Sequence, residues 1–251
     1  MEITELYAPT ISARAGAYAF DQGVRVEVCS SSESYFDWGK ICFTPEFQPE
    51  VSVARKDPAQ ISLGYGEDLE EVFSGYVAQS YNSANRANEI LLKDQMLLLE
   101  EVRISETFLQ TTPQEMISHF LGQVGITRFN LSSQSYPERP RVVIRSLNVI
   151  QAIEEVHAVW GIKQPFFFSG NVFYWGTKPP QEKVYLFEYG VNIISLQRSG
   201  GRWCLETVSA PFVRHSHTIQ VVHPDSSGTF EVKKVLFTTS ESGFIRTYIY
   251  Y

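Results

Sequence analysis

Residues 51–77 read VSVARKDPAQISLGYGEDLEEVFSGYV, and this stretch decides the fold class. Val51 and Val53 flank Ser52. Asp57-Pro58 is a turn pair, because proline pre-sets φ and an Asp side chain bonds nearby backbone. Ile61 and Leu63 alternate with polar neighbours up to Gly64-Tyr65-Gly66, and Val72, Phe73, Tyr76 and Val77 surround Gly75. Apolar-polar alternation over four to eight residues is the pattern of a half-buried strand. The stretch predicts two or three short strands with tight turns: a β-layer that carries no catalytic pattern.

The flanks continue this pattern. Val24, Val26 and Val28 alternate with Arg25 and Glu27, and residues 35–43 (YFDWGKICF) form an aromatic-rich strand. Residues 78–90 (AQSYNSANRANEI) are polar enough for a long loop. Residues 90–104 (ILLKDQMLLLEEVRI) fit helix or strand, and are read as a strand leading out of the domain.

After residue 104 the period changes. Thr112-Pro113-Gln114-Glu115 is a capping box with proline at the first helical position. Met116, Ile117, Phe120, Leu121 and Val124 follow at helical spacing, and Gly125 is a stop. Asn148, with Gln151 three residues on, caps a second helix whose apolar side carries Ile150, Ala152, Ile153, Val156 and Trp160, ending at Gly161. A short strand around Val142-Val143-Ile144 lies between the two helices. Phe166-Phe167-Phe168, Ser169-Gly170-Asn171 and Val172 to Trp175 predict a hairpin with a tight turn. Lys178-Pro179-Pro180 is a natural boundary. Strands resume at 184–187, 191–196, 203–208, 219–222, 229–237 and 244–251. The order is β region, α/β insertion, β region.

Composition narrows the function classes. The 251 residues suggest one to three small domains and suffice for a sizeable core. Hydrophobic content of 43% with 20% charged residues is globular, and the 14% aromatic content favours strands. Some of those rings are candidates for partner surfaces, where Tyr and Phe are enriched. The formal charge of −7 argues against a whole-molecule grip on nucleic acid. Cys29, Cys42 and Cys204 show no metal spacing and are expected as reduced thiols, although a Cys29–Cys42 bridge between neighbouring strands is conceivable. The first residues, MEITELYAPTISARAG, have neither a basic n-region nor an apolar h-region, so no signal peptide is expected. No apolar run is long enough for a membrane span, so no membrane anchor is expected.

Chemistry-bearing patterns are sparse. His215 and His217, two apart on a presumed strand, point the same way, and His223 with Cys204 or Asp225 could join them. Zinc needs three or four convergent ligands, and exposed strand and loop histidines are the plainer reading. The pairs Glu70-Glu71, Glu100-Glu101 and Glu154-Glu155 diverge on any regular backbone, unlike the facing carboxylates of a glycosidase. Neither GxSxG nor a P-loop occurs. Arg198, Arg202 and Trp203 could bind single-stranded nucleic acid or sugar, but core or interface packing suits them better in an acidic chain. No catalytic residue, cofactor, resident metal or specific nucleic-acid binding is expected, with His215, His217 and His223 the metal candidates.

The run from Val51 to Val77 resembles the central baseplate hub proteins of contractile tails. These are the late-control D-type proteins of phages and their relatives in tailocins and other contractile injection systems. The likeness rests on Leu63-Gly64-Tyr65-Gly66 and Val72-Phe73-Ser74-Gly75-Tyr76-Val77, which match a "GY" turn and a "vF-x-G-x-v" strand of the first barrel. It also rests on the Thr112–Glu115 helix opening, the Phe173-Tyr174-Trp175 hairpin, and a final strand Gly243-Phe244-Ile245-Arg246-Thr247-Tyr248-Ile249.

The resemblance implies a mainly β fold with two tube-like β-barrel domains, 1–104 and 181–251, flanking a small α/β domain, 105–180. It implies a structural protein, not an enzyme: a homotrimer acting as symmetry adaptor between a sixfold tail tube and a threefold central spike. Partners would be a tail tube or tube-initiator protein, a separate spike protein and baseplate wedge-type proteins. The site would be the baseplate centre of a virion or tail-like particle, after synthesis in the bacterial host cytoplasm. Tyr65, Phe73, Tyr76, Tyr248 and Tyr250 become candidates for subunit-interface packing, with the core as the alternative. The competing readings are a monomeric β-rich module binding cell-wall carbohydrate, and a peptidoglycan hydrolase.

Overall fold

The structure is a computed structural model and describes residues 9–44, 51–81, 89–240 and 244–251. The chain begins with strands β1 (Pro9–Ala15), β2 (Tyr18–Phe20), β3 (Val24–Ser31), β4 (Trp38–Phe43), β5 (Pro58–Tyr65), β6 (Asp68–Tyr81) and β7 (Glu89–Lys93). Next come α1 (Met96–Glu101), β8 (Arg103–Thr111), α2 (Pro113–Val124), β9 (Phe129–Leu131), β10 (Arg139–Asn148), α3 (Val149–Trp160), β11 (Phe166–Ser169) and β12 (Val172–Trp175). It closes with β13 (Tyr185–Glu188), β14 (Ile193–Ser199), β15 (Arg202–Val208), β16 (Thr218–Val222), β17 (Gly228–Glu231), β18 (Lys234–Thr239) and β19 (Ile245–Tyr250). Two compact units result: Met1–Asp94 with Pro179–Tyr251, and Gln95–Lys178.

In the first unit eleven strands make one sheet, ordered β14-β15-β19-β18-β3-β4-β7-β6-β5-β1-β2. The two β regions meet where β3 pairs antiparallel with β18, Val28 opposite Phe237 and Ser30 opposite Val235. They also share one core, in which Val28, Ile41, Ile61 and Leu63 from the first region lie with Leu205, Val235, Phe237 and Ile249 from the last. Each such side chain contributes roughly 1.5–3 kcal/mol by leaving water. Among the described residues the sheet is open, with β14 and β2 as its outer strands. A smaller sheet, β13-β16-β17, adds Phe187, Ile219 and Val221 to the same core.

The opening stretch forms the β5–β6 hairpin, whose register shifts between Ile61 and Ser62. That bulge lets consecutive residues Val72 and Phe73 both turn inward. Residues 51–54 form no strand. They lead into a turn in which the Asp57 carboxylate accepts the Ala54 N–H at 2.8 Å. Gly64 and Gly75 sit where a Cβ would strike backbone, of Asp68 in one case and of Lys93 and Asp94 in the other. Close backbone approach is thus the physical content of the "GY" and "F-x-G" patterns.

The second unit packs α1, α2 and α3 with the β8–β10 ribbon. Both capping boxes form: Thr112 with Glu115 on α2, and Asn148 with Gln151 on α3. Both helices end on left-handed glycines, Gly125 at φ 84° and Gly161 at φ 69°. Met116, Ile117, Phe120 and Leu121 face Ala152, Ile153 and Val156 as the buried stripes of this helix layer. The β11–β12 hairpin turns through Gly170 and Asn171, both at positive φ (55° and 61°), as a two-residue turn requires.

Several expectations need correction. Residues 90–104 are not one strand: β7 ends at Lys93, and Met96–Glu101 is a helix burying Met96, Leu97 and Leu99. The α/β unit therefore begins at Gln95, not at 105. Residues 229–237 are two strands in different sheets, β17 beside β16 and β18 between β19 and β3. The expected loop at 78–90 is strand at both ends, and residues 82–88 fall outside the described residues, as does the N-terminal stretch 1–8.

Candidate assembly surfaces

β19 alternates strictly. Ile245, Thr247 and Ile249 are buried, so Tyr248 and Tyr250 share the outer face. Tyr248 stands opposite Glu206 on β15 and Leu236 on β18, and Tyr250 opposite Cys204 and Lys234. The Lys234 ammonium lies 5.1 Å from the Tyr250 ring centroid. Burial pushes the Tyr250 phenol up to about 12 and raises that of Tyr248 as well. Both hydroxyls therefore stay protonated donors at any working pH. The structure brings these two rings together, but not the other three candidates with them. Tyr65 ends β5, half-buried. Tyr76 pairs with Pro58 at the opposite end of the same strand. Phe73 is 4% exposed and belongs to the core.

Further apolar surface lies where periodicity alone gave no signal. β14, at the free edge of the large sheet, exposes Ile194, and the turn before it exposes Tyr189 and Val191. Tyr189 and Ile194, with Leu196, His223, Pro224 and Asp225, border an open groove of about 430 Å³. A free edge leaves unpaired backbone donors and acceptors, which invite a partner strand or a covering surface. In the other unit, the outer face of the β8–β10 ribbon exposes Leu109 opposite Arg141, with Arg145 and Arg103 further along it.

The chemistry candidates do not converge. His215 and Ser216 form a turn, Ser216 at φ 65°, so His215 and His217 do not share a strand face. His215 is buried and its Nδ1 lies 3.0 Å from the Ser216 hydroxyl. His217 Nδ1 accepts the Arg214 N–H at 3.2 Å. Burial, helped by the Arg214 charge, pulls the His217 imidazole down to about 4, so it stays neutral. His223 lies elsewhere, with Nδ1 accepting the Asp225 N–H at 3.1 Å. Among the described residues no three His, Cys, Asp or Glu side chains group around a metal position. One member of each glutamate pair, Glu70, Glu101 and Glu155, is exposed. Arg202 is ion-paired with Glu33, while Arg198 lies 5.9 Å from the Trp203 ring. Cys29 and Cys42 lie on paired strands but out of register, Cys29 opposite Trp38 and Cys42 opposite Arg25, and all three cysteines are free.

Two buried polar groups do structural work. Asp37 keeps partial surface as a residue, but its carboxyl group is enclosed and accepts the Ser31 N–H at 2.8 Å. Its own N–H donates to Asp94 at 2.9 Å. Burial pushes the Asp37 carboxyl up to about 7, against the opposing pull of Ser30, Ser31 and the Arg214 charge. Arg214 donates to the carbonyls of Glu71 and Pro211, tying the loop of the last β region to β6 of the first. In the other unit the Trp175 indole donates to His157 Nε2 at 2.7 Å, and burial holds that imidazole neutral.

This architecture is the fold of solved phage-tail and secretion-apparatus proteins. A 43 kDa tail protein of prophage MuSo2 from Shewanella oneidensis superposes with a TM-score of 0.77 at 9% identity, over 97% of this chain and 98% of that one. A tail protein of Neisseria meningitidis MC58 gives a TM-score of 0.72 at 11% identity, over 97% and 96%. An Escherichia coli type VI secretion component, described as structurally similar to the T4 bacteriophage tail proteins gp27 and gp5, gives 0.69 at 14% identity, over 96% of this chain and 75% of that one. No protein-family model and no curated protein matches the sequence.

Proposed function

We propose that this chain is a structural component of a phage tail or tail-like injection particle, and within it the central baseplate hub. The observation that carries the reading is the near end-to-end likeness to the MuSo2 tail protein, 97% of one chain on 98% of the other. A likeness over both units, the α/β insertion included, is what a shared architectural role requires. In this reading three copies form a ring that adapts a sixfold tail tube to a threefold spike. The two ends of the eleven-strand sheet serve as the two tube-like barrel lobes, from residues 1–94 and 179–251, with residues 95–178 as the α/β domain between them in sequence. The role is mechanical and non-enzymatic, and the wedge-type proteins would contact the ring from outside, at the baseplate centre of the particle.

The physics favours an assembled state. The outer strand β14 and the exposed Tyr189, Val191 and Ile194 beside it are an edge that a ring of copies would cover. The outward pair Tyr248 and Tyr250, with Tyr65 and Tyr76, supplies rings of the type enriched at interface centres. Co-expression with the tail tube and central spike proteins of the same particle tests the reading. Co-purification of a complex containing both is the expected outcome. A chain that associates with neither would overturn it.

A further inference from the structure

We infer that copies of this chain contact one another through two oppositely charged patches, the β8–β10 ribbon of one copy against the β5–β6 hairpin tip of the next. The inference rests on the trimeric reading above and names its contact. On the ribbon, Leu109 pairs with Arg141 and Thr107 with Val143, so these side chains share the outer face. A register shift between Ile144 and Leu147 bends the strand there, and bulges of this kind re-aim side chains. Arg145, just before the shift, is exposed, and Arg103 bridges the bend by donating to the Ser146 carbonyl at 2.7 Å. The face thus carries Leu109, 69% exposed, opposite Arg141, with Arg145 and Arg103 further along the ribbon. It presents no acidic side chain: Glu106, the one carboxylate on β8, turns the other way to meet His119 at 2.7 Å. Among the described residues none of the three arginines has a carboxylate partner.

The hairpin tip is the complement. Glu67, Asp68 and Glu70 are exposed around Leu69, itself 40% exposed. Each patch joins an exposed leucine to side chains of one charge sign, Arg141 across from Leu109 and the acidic residues beside Leu69, so docking would bury the two leucines together with ion pairs beside them. That is the apolar-centre, polar-rim anatomy of specific interfaces, and the opposed charges would steer the encounter. The charge distribution along the chain fits as well. Residues 95–178 hold seven Lys/Arg against seven Asp/Glu, so the whole formal −7 lies in the other unit. Like units repel, whereas a contact between unlike units does not. A contact between two different patches is heterologous, and a heterologous contact whose rotation closes makes a ring.

Sedimentation velocity on three folded variants, checked by circular dichroism, tests this. Arg141→Glu with Arg145→Glu should convert the trimer to monomer, and Glu67→Lys with Asp68→Lys should do the same. All four substitutions in one chain restore opposite charges and should return the trimer. Self-association of the unaltered chain should weaken as salt rises, because rim ion pairs are screened. A monomeric unaltered chain, trimers that survive either pair of substitutions, or no recovery in the combined variant would each overturn the inference. Surviving trimers that still bind tube and spike proteins would leave the hub reading standing without this contact. Loss of tube or spike binding alone would assign the patch to that partner instead.

Discussion

At Gly75 a Cβ would run into the Lys93 carbonyl and the Asp94 Cα, backbone atoms that cannot swing aside. Gly75→Ala is therefore expected to cost about 1–3 kcal/mol, read as a lowered denaturant midpoint. An unchanged midpoint would mean that β6 and β7 do not approach so closely. Asp37 makes a second prediction at this scale. Its folded-state pKa, about 7, lies above the ordinary value of 3.8. Between those values the folded chain holds a proton that the unfolded chain has released, so unfolding free energy falls as pH rises. The stabilisation is complete below about pH 4 and gone above about 7, with a slope of at most ~1.4 kcal/mol per pH unit. Neutral His157 and His217 act oppositely, because their lowered pKa values cost stability as pH falls below 6.5. Asp37→Asn should flatten the thermal midpoint between pH 5 and 8, and an unaltered alkaline slope would refute that assignment. Residue identity alone did not separate core from surface: Phe73 and Tyr76 both read as interface candidates. Strand alternation with Gly75 and Val77 puts Phe73 inside and Tyr76 on the other face, and the bulge at Ile61/Ser62 adds Val72 to the buried side.

Elements governed by local signals were legible. Two capping boxes, two left-handed glycine stops and the Gly170-Asn171 turn each sit where the sequence places them, because each satisfies its own backbone within a few residues. Thr112→Ala should accordingly destabilise the α/β unit by about 1 kcal/mol, measurable as a shift in its melting transition, with Thr112→Ser close to unchanged. Elements governed by tertiary contacts were not legible. Met96–Glu101 carries an apolar run that fits helix or strand, and packing against α2 and α3 selects helix. The division of 229–237 has neither Gly nor Pro to mark it. It falls at Val232 and Lys233, whose N–H groups donate to His217 and Tyr250 carbonyls from two different sheets. The pairing of β3 with β18 spans most of the chain and leaves no local trace. One consequence is testable. Phe237 is fully buried beside Val28 at this junction. Phe237→Ala should cost roughly 3–5 kcal/mol and shift the same unfolding transition as Gly75→Ala, since both sit in one core. Shifts in two separate transitions would mean that the two β regions fold independently.

For the whole molecule, the eleven-strand sheet with its outer strands β14 and β2, and the charge asymmetry between the units, are the features on which the proposed assembly rests. The β-α/β-β order was legible from the change of hydrophobic period at residues 104 and 178. The joining of both β regions into one sheet was not, because strand partners far apart in sequence are chosen by the core they share. The surfaces that matter most, the β14 edge and the arginine-lined ribbon, were also hidden, since exposure depends on which face each strand buries. The central claim is that three copies form a ring between tube and spike. Cryo-electron microscopy of the intact particle tests it most directly. The account predicts threefold density for this chain at the baseplate centre, bounded by a sixfold tube on one side and a threefold spike on the other. Density elsewhere in the particle, or no density for it at all, would contradict the account.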